Sequence, residues 1–122
     1  MRAVGFKEFG DPEVLEVIDI PEVSAGPGEI RIKNYASAVN PTDIVSRSGL
    51  ISQFRKDFPL PSVPGMDISG IVDQVGEGVE TDISIGDKVM GMVIPNELHG
   101  AYREQITLNQ FAVVKAPEGY SF

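Results

Sequence analysis

The chain has 122 residues, of which 10 are basic and 18 acidic, so its formal net charge is −8. One domain of ordinary size accounts for this length, and the negative charge disfavours nucleic acid and anionic membranes as partners. Because the sequence contains no cysteine, disulfides, iron–sulfur clusters and cysteine-ligated zinc are excluded. The sequence has neither a long apolar run nor a leader-like start, so we expect a cytoplasmic domain.

The N-terminal part of the chain is predicted to form a hairpin followed by a longer strand. Two short apolar runs, residues 2–6 and 14–20, are separated by the turn sequence Gly10-Asp11-Pro12, which is typical of a hairpin. Polar and apolar residues then alternate with period two over residues 29–33, and the run stops at Asn40-Pro41. This alternation predicts a half-buried strand.

A short helix is predicted after that strand. Asn40 can cap it, and Pro41 suits the first helical position because its missing N–H would be unpaired there in any case. Asp43 lies in the first turn, near the positive end of the helix dipole, and Gly49 is predicted to end the helix about two turns later. Residues 58–65 contain three prolines, so we expect an extended loop without sheet hydrogen bonds.

The second half of the chain is predicted to contain only strands and turns. Four apolar or alternating runs predict strands at residues 68–75, 88–93, 102–108 and 111–114. With the first half, this gives about six or seven short strands and one helix, which predicts a mostly β protein folded as a compact β-barrel. The core candidates are Val72, Val75, Val79, Val89, Ile106 and Val113.

Residue patterns alone do not indicate a chemistry. The glycine pairs at 26–28 and 76–78 fail the Gly-x-Gly-x-x-Gly pattern at its last position, so turns explain them better than phosphate binding. His99 is the only histidine, and a lone loop histidine is more often solvated than a metal ligand. Asp43 and Asp67 would suit acid–base work as a pair of carboxylates, but the sequence does not place them near each other.

Residues 65–79 carry the pattern Gly-x-Asp-x-x-Gly-x-Val-x-x-x-Gly-x-x-Val, and Gly86-Asp87-Lys88-Val89 follows it. This combination resembles the N-terminal GroES-like catalytic domain of the medium-chain dehydrogenase/reductase family. Segments 40–43 and 100–104 are similar to further motifs of that family, so the resemblance extends over essentially the whole chain. It implies a GroES-like, partly open β-barrel with one or two short helices over residues 1–122.

Two departures from the family's zinc enzymes indicate a branch. Asn40 stands where those enzymes have a cysteine ligand, and Met66 stands where they have a histidine ligand. Neither side chain is a plausible zinc ligand, so no metal site is expected. The resemblance therefore implies the zinc-independent quinone oxidoreductase-like branch, whose members resemble NADPH-dependent reducers of quinones and of α,β-unsaturated carbonyl compounds (enones).

The family's Rossmann domain, which holds the dinucleotide, has no counterpart in this sequence. The resemblance thus implies the substrate-side domain of a longer two-domain enzyme, with a quinone or enone as its small-molecule partner. Such a fragment is expected to be inactive alone, and a homo-oligomer is one option for the complete enzyme. The alternative is a non-catalytic GroES-like binding or assembly module, similar to chaperonin-10.

The resemblance also implies roles for five residues. Asn40 and Thr42 are implied to be catalytic and cofactor-binding: Asn40 beside the nicotinamide and the substrate carbonyl, Thr42 as a proton relay. A plain helix cap for Asn40 and a solvent-facing hydroxyl for Thr42 are the alternatives. Ile51, Met66 and Asp67 are implied to line the substrate cleft.

Three further points concern the surroundings of this site. The resemblance implies that Asp43 is a carboxylate that supports the site residues without lining the cleft. The alternative, which the first-turn position favours, is stabilisation of the helix dipole. Without a metal, Asp67 is expected to bind a backbone group or an arginine, and Arg47 is the candidate arginine because a buried carboxylate needs pairing. Residues 50–52 lack the tyrosine that some relatives place there, so Thr42 or solvent would have to supply a proton.

Overall fold

Seven strands and one α-helix form the regular structure of residues 1–122, all of which the computed structural model describes. Short 3₁₀ turns follow β1, the helix and β6, at residues 12–14, 51–53 and 110–112. The elements are β1 Arg2–Gly5, β2 Glu16–Asp19, β3 Glu29–Ala36, α1 Pro41–Ser48, β4 Asp67–Val75, β5 Lys88–Met92, β6 Gln105–Asn109 and β7 Val113–Lys115. The mostly β class is confirmed. No helix of this chain combines the length and the apolar character that crossing a membrane requires.

The strands form two antiparallel sheets. Strands β1 and β2 make the predicted hairpin, and the other five pair in the order β6-β3-β4-β5-β7. Since β6 and β7 do not pair with each other, the larger sheet stays open along that seam. The partly open barrel that the resemblance implied is confirmed.

Apolar side chains that alternate along β3, β4, β5 and β6 meet in one cluster. Every second residue of a strand points to the same side of a sheet, so the period-two pattern of the sequence becomes one buried layer. Four of the six predicted core residues are buried there, and Val75 and Val79 pack against its edge. The cluster, called the sheet core below, comprises Ile30, Ile32, Ile68, Val72, Ile83, Val89, Val93, Ala101, Ile106, Leu108 and Val113.

Three sequence predictions about strands were wrong in part. The strand predicted at residues 111–114 begins as the 3₁₀ turn of residues 110–112, and β7 starts only at Val113. Strand β6 begins at Gln105 rather than at residue 102, because the segment before it pairs with β1: Val4 N–H donates to the Tyr102 carbonyl at 2.8 Å. The proline-containing loop does make sheet-like hydrogen bonds, since Ser62 keeps its N–H and exchanges bonds of 2.9 and 3.0 Å with Phe6. Both contacts join the hairpin to the remainder of the fold.

Helix α1 begins and ends where the sequence predicts. Asn40 has an extended backbone with φ −114° and ψ 157°, Pro41 opens the helix, and Gly49 ends it in the left-handed region with φ 85°. The face that α1 buries is polar, however, and consists of Asp43, Ser46 and Arg47. Hydrogen bonds rather than an apolar stripe therefore hold this helix on the barrel.

Candidate functional site

The start of α1, the start of β4 and the outer face of β5 surround an open depression of about 680 Å³. It is called the cleft below. Of the predicted site residues it contains four, namely Asn40, Thr42, Met66 and Asp67. The remainder of its lining is largely apolar and comes from Pro41, Ile68, Met90, Gly91, Met92, Ala112 and Val114.

A second, narrower cavity of about 210 Å³ adjoins the cleft. Ile51 lines this cavity rather than the cleft itself, together with Phe58 and Ile94. Thr42 and Met66 line both spaces, so they form the boundary between them. The structure thus brings all five predicted site residues into two adjoining spaces.

Asn40 joins α1 to the start of β4. Its Nδ2 donates to Oδ2 of Asp67 at 3.0 Å, and the backbone N–H of Ala38 donates to Oδ1 of the same carboxylate at 2.7 Å. Of the two partners expected for Asp67, the structure has the backbone group. The pairing with Arg47 was wrong, because the Arg47 guanidinium donates to the Gly10 carbonyl oxygen instead. The backbone N–H of Ala38 and the side-chain amide of Asn40 are the hydrogen-bond donors to Asp67. Arg47 contacts Gly10 at the C-terminal end of α1.

Asp43 is more than a first-turn charge. The residue is 5 % exposed, and its carboxylate accepts hydrogen bonds from the backbone N–H of Asn40 at 2.8 Å and of Gly65 at 2.8 Å. The Tyr102 hydroxyl also donates to it, at 3.1 Å. Asn40 lies between the two carboxylates of the predicted pair, since it donates its N–H to Asp43 and its Nδ2 to Asp67.

Tyr102 is a fixed hydrogen-bond donor. Burial raises its pKa to about 12, and the negative charge of Asp43 with the hydrogen bond to it acts in the same direction. A phenol with a raised pKa keeps its proton throughout the neutral range, so it remains a hydrogen-bond donor to Asp43.

Thr42 differs from its neighbours in the helix start. It is exposed, and its hydroxyl has no hydrogen-bond partner within the chain. A hydroxyl that is free at the boundary of two cavities can donate to an oxygen of a bound molecule or relay a proton to it. The arrangement can therefore supply one neutral proton donor beside an apolar surface.

Comparison with known proteins identifies the family. The family model of the alcohol dehydrogenase GroES-like domain matches residues 26–118. The chain belongs to this family. Its similarity to proteins named quinone oxidoreductase places it in the quinone oxidoreductase-like branch of the medium-chain dehydrogenases/reductases.

Three relatives illustrate this similarity. A quinone oxidoreductase of Pseudomonas aeruginosa is 35 % identical over 99 % of this chain and 35 % of its own length. The solved quinone oxidoreductase of Coxiella burnetii has a TM-score of 0.86 at 32 % identity, covering 100 % of this chain and 38 % of that one. The Escherichia coli quinone oxidoreductase, solved in complex with NADPH, has a TM-score of 0.81 at 30 % identity. The match covers 100 % of this chain and 35 % of that one. The chain therefore spans about a third of the length of these relatives.

The residues of this GroES-like domain do not fit a zinc ion. No group of three histidine, cysteine, aspartate or glutamate side chains is close enough to hold a metal. At the two ligand positions of the zinc enzymes, Asn40 uses its Nδ2 as a donor to Asp67, and Met66 offers only a thioether. Zinc prefers thiolates, imidazoles and carboxylates in a tetrahedral set, which these two positions do not supply.

His99 also lies outside the cleft. It is half-buried rather than fully solvated, which corrects the sequence expectation. Burial lowers its pKa, and the nearby Arg103 charge lowers it further, while Glu29 acts in the opposite direction. The lowered pKa favours the neutral imidazole, but His99 lines neither the cleft nor the second cavity.

Sequence reasoning missed the apolar half of the cleft. Met90, Met92 and Val114 line it, and Met92 is 62 % exposed. Their position follows from the period of two: Val89 and Val93 point into the sheet core, so Met90 and Met92 must face outward. The sequence analysis included Tyr102 in a family motif but assigned it no role. Its hydrogen-bond partner, the Asp43 carboxylate, is 59 positions away in the sequence, so no local pattern could reveal the contact.

Proposed function

We propose that this domain forms the substrate side of an NADPH-dependent reductase of quinones or enones that uses no zinc. The observation that carries this proposal is the cleft, where a free Thr42 hydroxyl and the Asn40–Asp67 pair stand beside an exposed methionine surface. A flat, conjugated and mostly apolar molecule that presents a carbonyl oxygen to Thr42 is the ligand that suits such a surface. The names of the relatives, and the NADPH complex of one of them, support the same class.

The cofactor would be held mainly outside this chain. Neither glycine pair here has the dinucleotide-binding pattern, whereas the cleft is open enough to accept the edge of a flat ring against Asn40 and Thr42. Bound reduced nicotinamide supplies a hydride. The domain's own contribution is to shape one wall of the site and to exclude water from it with Met90 and Met92.

Thr42 is the residue that we propose as proton relay. Negative charge develops on the substrate oxygen when hydride is added to an enone or quinone. The Thr42 hydroxyl can stabilise that charge by donating a hydrogen bond, or can pass its proton to the oxygen while it takes up another from solvent. Tyr102 is unsuited to this step because it does not line the cleft and its hydroxyl already donates to Asp43. Asn40 is less free than Thr42, since Asp67 already accepts from its Nδ2.

The test is a substitution at Thr42 in the complete enzyme. Thr42→Val removes the hydroxyl at nearly constant volume and should lower kcat for a quinone or enone by about 10²-fold. The KM for NADPH should change little, and the control Thr42→Ser should keep most of the activity. Full turnover by Thr42→Val would contradict the relay, and loss of turnover in Asn40→Ala alone would assign it to Asn40.

Independence of zinc has its own measurement. Elemental analysis of the complete enzyme, purified without a metal-binding tag, should find no stoichiometric zinc, because Asn40 and Met66 occupy the ligand positions. Zinc that survives a chelator at one equivalent would contradict the proposal.

The assembly-module alternative predicts different behaviour. A non-catalytic module would show no NADPH oxidation by quinones even as a complete protein. Under our proposal the 122-residue chain alone is inactive, and millimolar NADPH leaves its unfolding midpoint unchanged, since stabilisation requires binding to the native state. A clear rise of the midpoint would show that the domain holds the cofactor itself.

A further inference from the structure

The carboxylate of Asp43 connects three segments that are far apart in the sequence. Oδ2 accepts from the N–H of Asn40 and from the Tyr102 hydroxyl, and Oδ1 accepts from the N–H of Gly65. Asn40 precedes α1, Gly65 precedes β4, and Tyr102 precedes β6. Because Asp43 is buried, with 5 % of the residue exposed, water cannot easily replace any of these donors.

The segment around Gly65 has little freedom of its own. Its carbonyl oxygen accepts from the N–H of Ala101 at 3.1 Å, and that of Pro64 accepts from Tyr102 at 3.0 Å. Gly65 has φ 107°, and a Cβ atom there would lie 2.7 Å from the Tyr102 ring. The backbone at Gly65 therefore fits between Asp43 and the Ala101–Tyr102 segment in one arrangement only.

The same hydrogen bonds reach the cleft through neighbouring residues. Asn40 donates its own N–H to Asp43 and its side chain to Asp67. Met66, which lines both the cleft and the second cavity, follows directly after Gly65. A change at Asp43 would thus move the α1 side and the β4 side of the cleft relative to each other.

We infer that Asp43 is a positioning residue of the proposed reductase, fixing Asn40 and Thr42 on one side of the cleft against Met66 and Asp67 on the other. This inference rests on the proposed function for its catalytic consequence but not for the hydrogen bonds themselves. Asp43 does not contact the cleft, so its effect is indirect. If Asp43 acted only on the helix dipole, only its negative charge near the N–H of Asn40 would matter. Substituting it would then leave Gly65 and Asp67 unaffected.

The first experiment uses this chain alone and needs no activity. In Asp43→Asn, the amide NMR signals of Gly65 and Asn40 should shift, and the Gly65 amide should exchange with solvent at least about tenfold faster. The Asn40 Nδ2 signals should also shift, whereas the amides of Ile32 and Val89 in the sheet core should not. Asp87→Asn is the matched control, because Asp87 accepts from the N–H of Ser84 in an exposed turn away from the cleft.

A milder variant covers the case in which Asp43→Asn does not fold. Tyr102→Phe keeps the carboxylate and removes one donor, so it should produce smaller changes at the same Gly65 and Asn40 signals. If the folded variant leaves the Gly65 amide signal and the Asn40 side-chain signals unchanged, the inference is overturned. Asp43 would then act only on the helix dipole at the start of α1.

The second experiment uses the complete enzyme. Asp43→Asn should lower kcat for a quinone at least about tenfold with little change in the KM for NADPH, because a small misplacement of the reacting groups is costly. Asp43→Glu should restore part of kcat, since it keeps a carboxylate acceptor. Altered NMR signals with full turnover would overturn the positioning role alone, whereas an inactive wild-type enzyme would overturn the proposed function and not the hydrogen-bonded junction.

Discussion

The sheet core and the junction around Asp43 hold the same barrel by different forces. Eleven apolar residues make up the sheet core, and their contacts have no required direction. At the junction, three donors converge on one buried carboxylate. Apolar packing tolerates many side chains of the right volume, whereas each hydrogen bond requires one donor at one distance and angle. The comparison indicates that the core determines stability and the junction determines the shape of the cleft.

The sheet core should give the largest effect on stability. Ile106 is fully buried, so Ile106→Ala should lower the free energy of unfolding by about 3–4 kcal/mol through lost apolar contact and the cavity it leaves. Ile106→Val, which removes one methyl group, should cost about 1 kcal/mol. Urea unfolding of the chain measures both. A loss under about 1 kcal/mol for the alanine variant would contradict the assigned role of the core.

Gly65 tests the junction by steric means. Gly65→Ala combines a φ of 107° with contacts of 2.7 to 2.9 Å to Tyr102 and Ala101, so we expect a loss of about 2–3 kcal/mol. The matched control is Gly78→Ala, where φ is 74° but no atom lies within 4 Å of the added carbon. The control should cost about 1 kcal/mol, from the backbone alone. Equal losses in the two variants would show that the junction is not tightly packed.

The Tyr102–Asp43 hydrogen bond should give the smallest effect, and it depends on pH. Tyr102→Phe should cost about 1 kcal/mol near neutral pH, since the phenol is only partly shielded from water. The pKa of Tyr102 is about 12 in the folded chain and 10.0 ordinarily, so the unfolded chain loses this proton first as the pH rises. The stabilisation is therefore complete below pH 10 and is lost between pH 10 and about 12.

The measurement is the difference in free energy of unfolding between the wild type and Tyr102→Phe, followed from about pH 8 to about pH 12, where the folded tyrosine titrates. Both proteins share Tyr35 and Tyr120, so the titration of those tyrosines cancels in the difference. A difference that stays constant across this range would contradict the hydrogen bond to Asp43.

Features set by neighbouring residues were predictable. The Asn40-Pro41 start and the Gly49 end of α1 follow from backbone chemistry at those positions, and the structure has both. The period of two located the strands and four buried members of the sheet core. The motif at residues 65–79 led to the family, which the match over residues 26–118 shows.

Contacts between residues that are far apart in the sequence could not be predicted. Asp67 pairs with Asn40, 27 positions away, and not with Arg47, because the fold turns the arginine toward Gly10. The strand that pairs with β3 does not begin at Tyr102, because the Tyr102 carbonyl accepts a hydrogen bond from Val4 of β1.

The sequence by itself thus determined the class, the family and four of the residues that line the cleft, since turns, caps and family motifs are local features of the chain. Only the tertiary structure decided which donors meet the Asp43 and Asp67 carboxylates and how the methionines of β5 complete the cleft. Those contacts join segments that the chain separates widely, and their geometry is fixed only when the sheet core packs and excludes water from the junction.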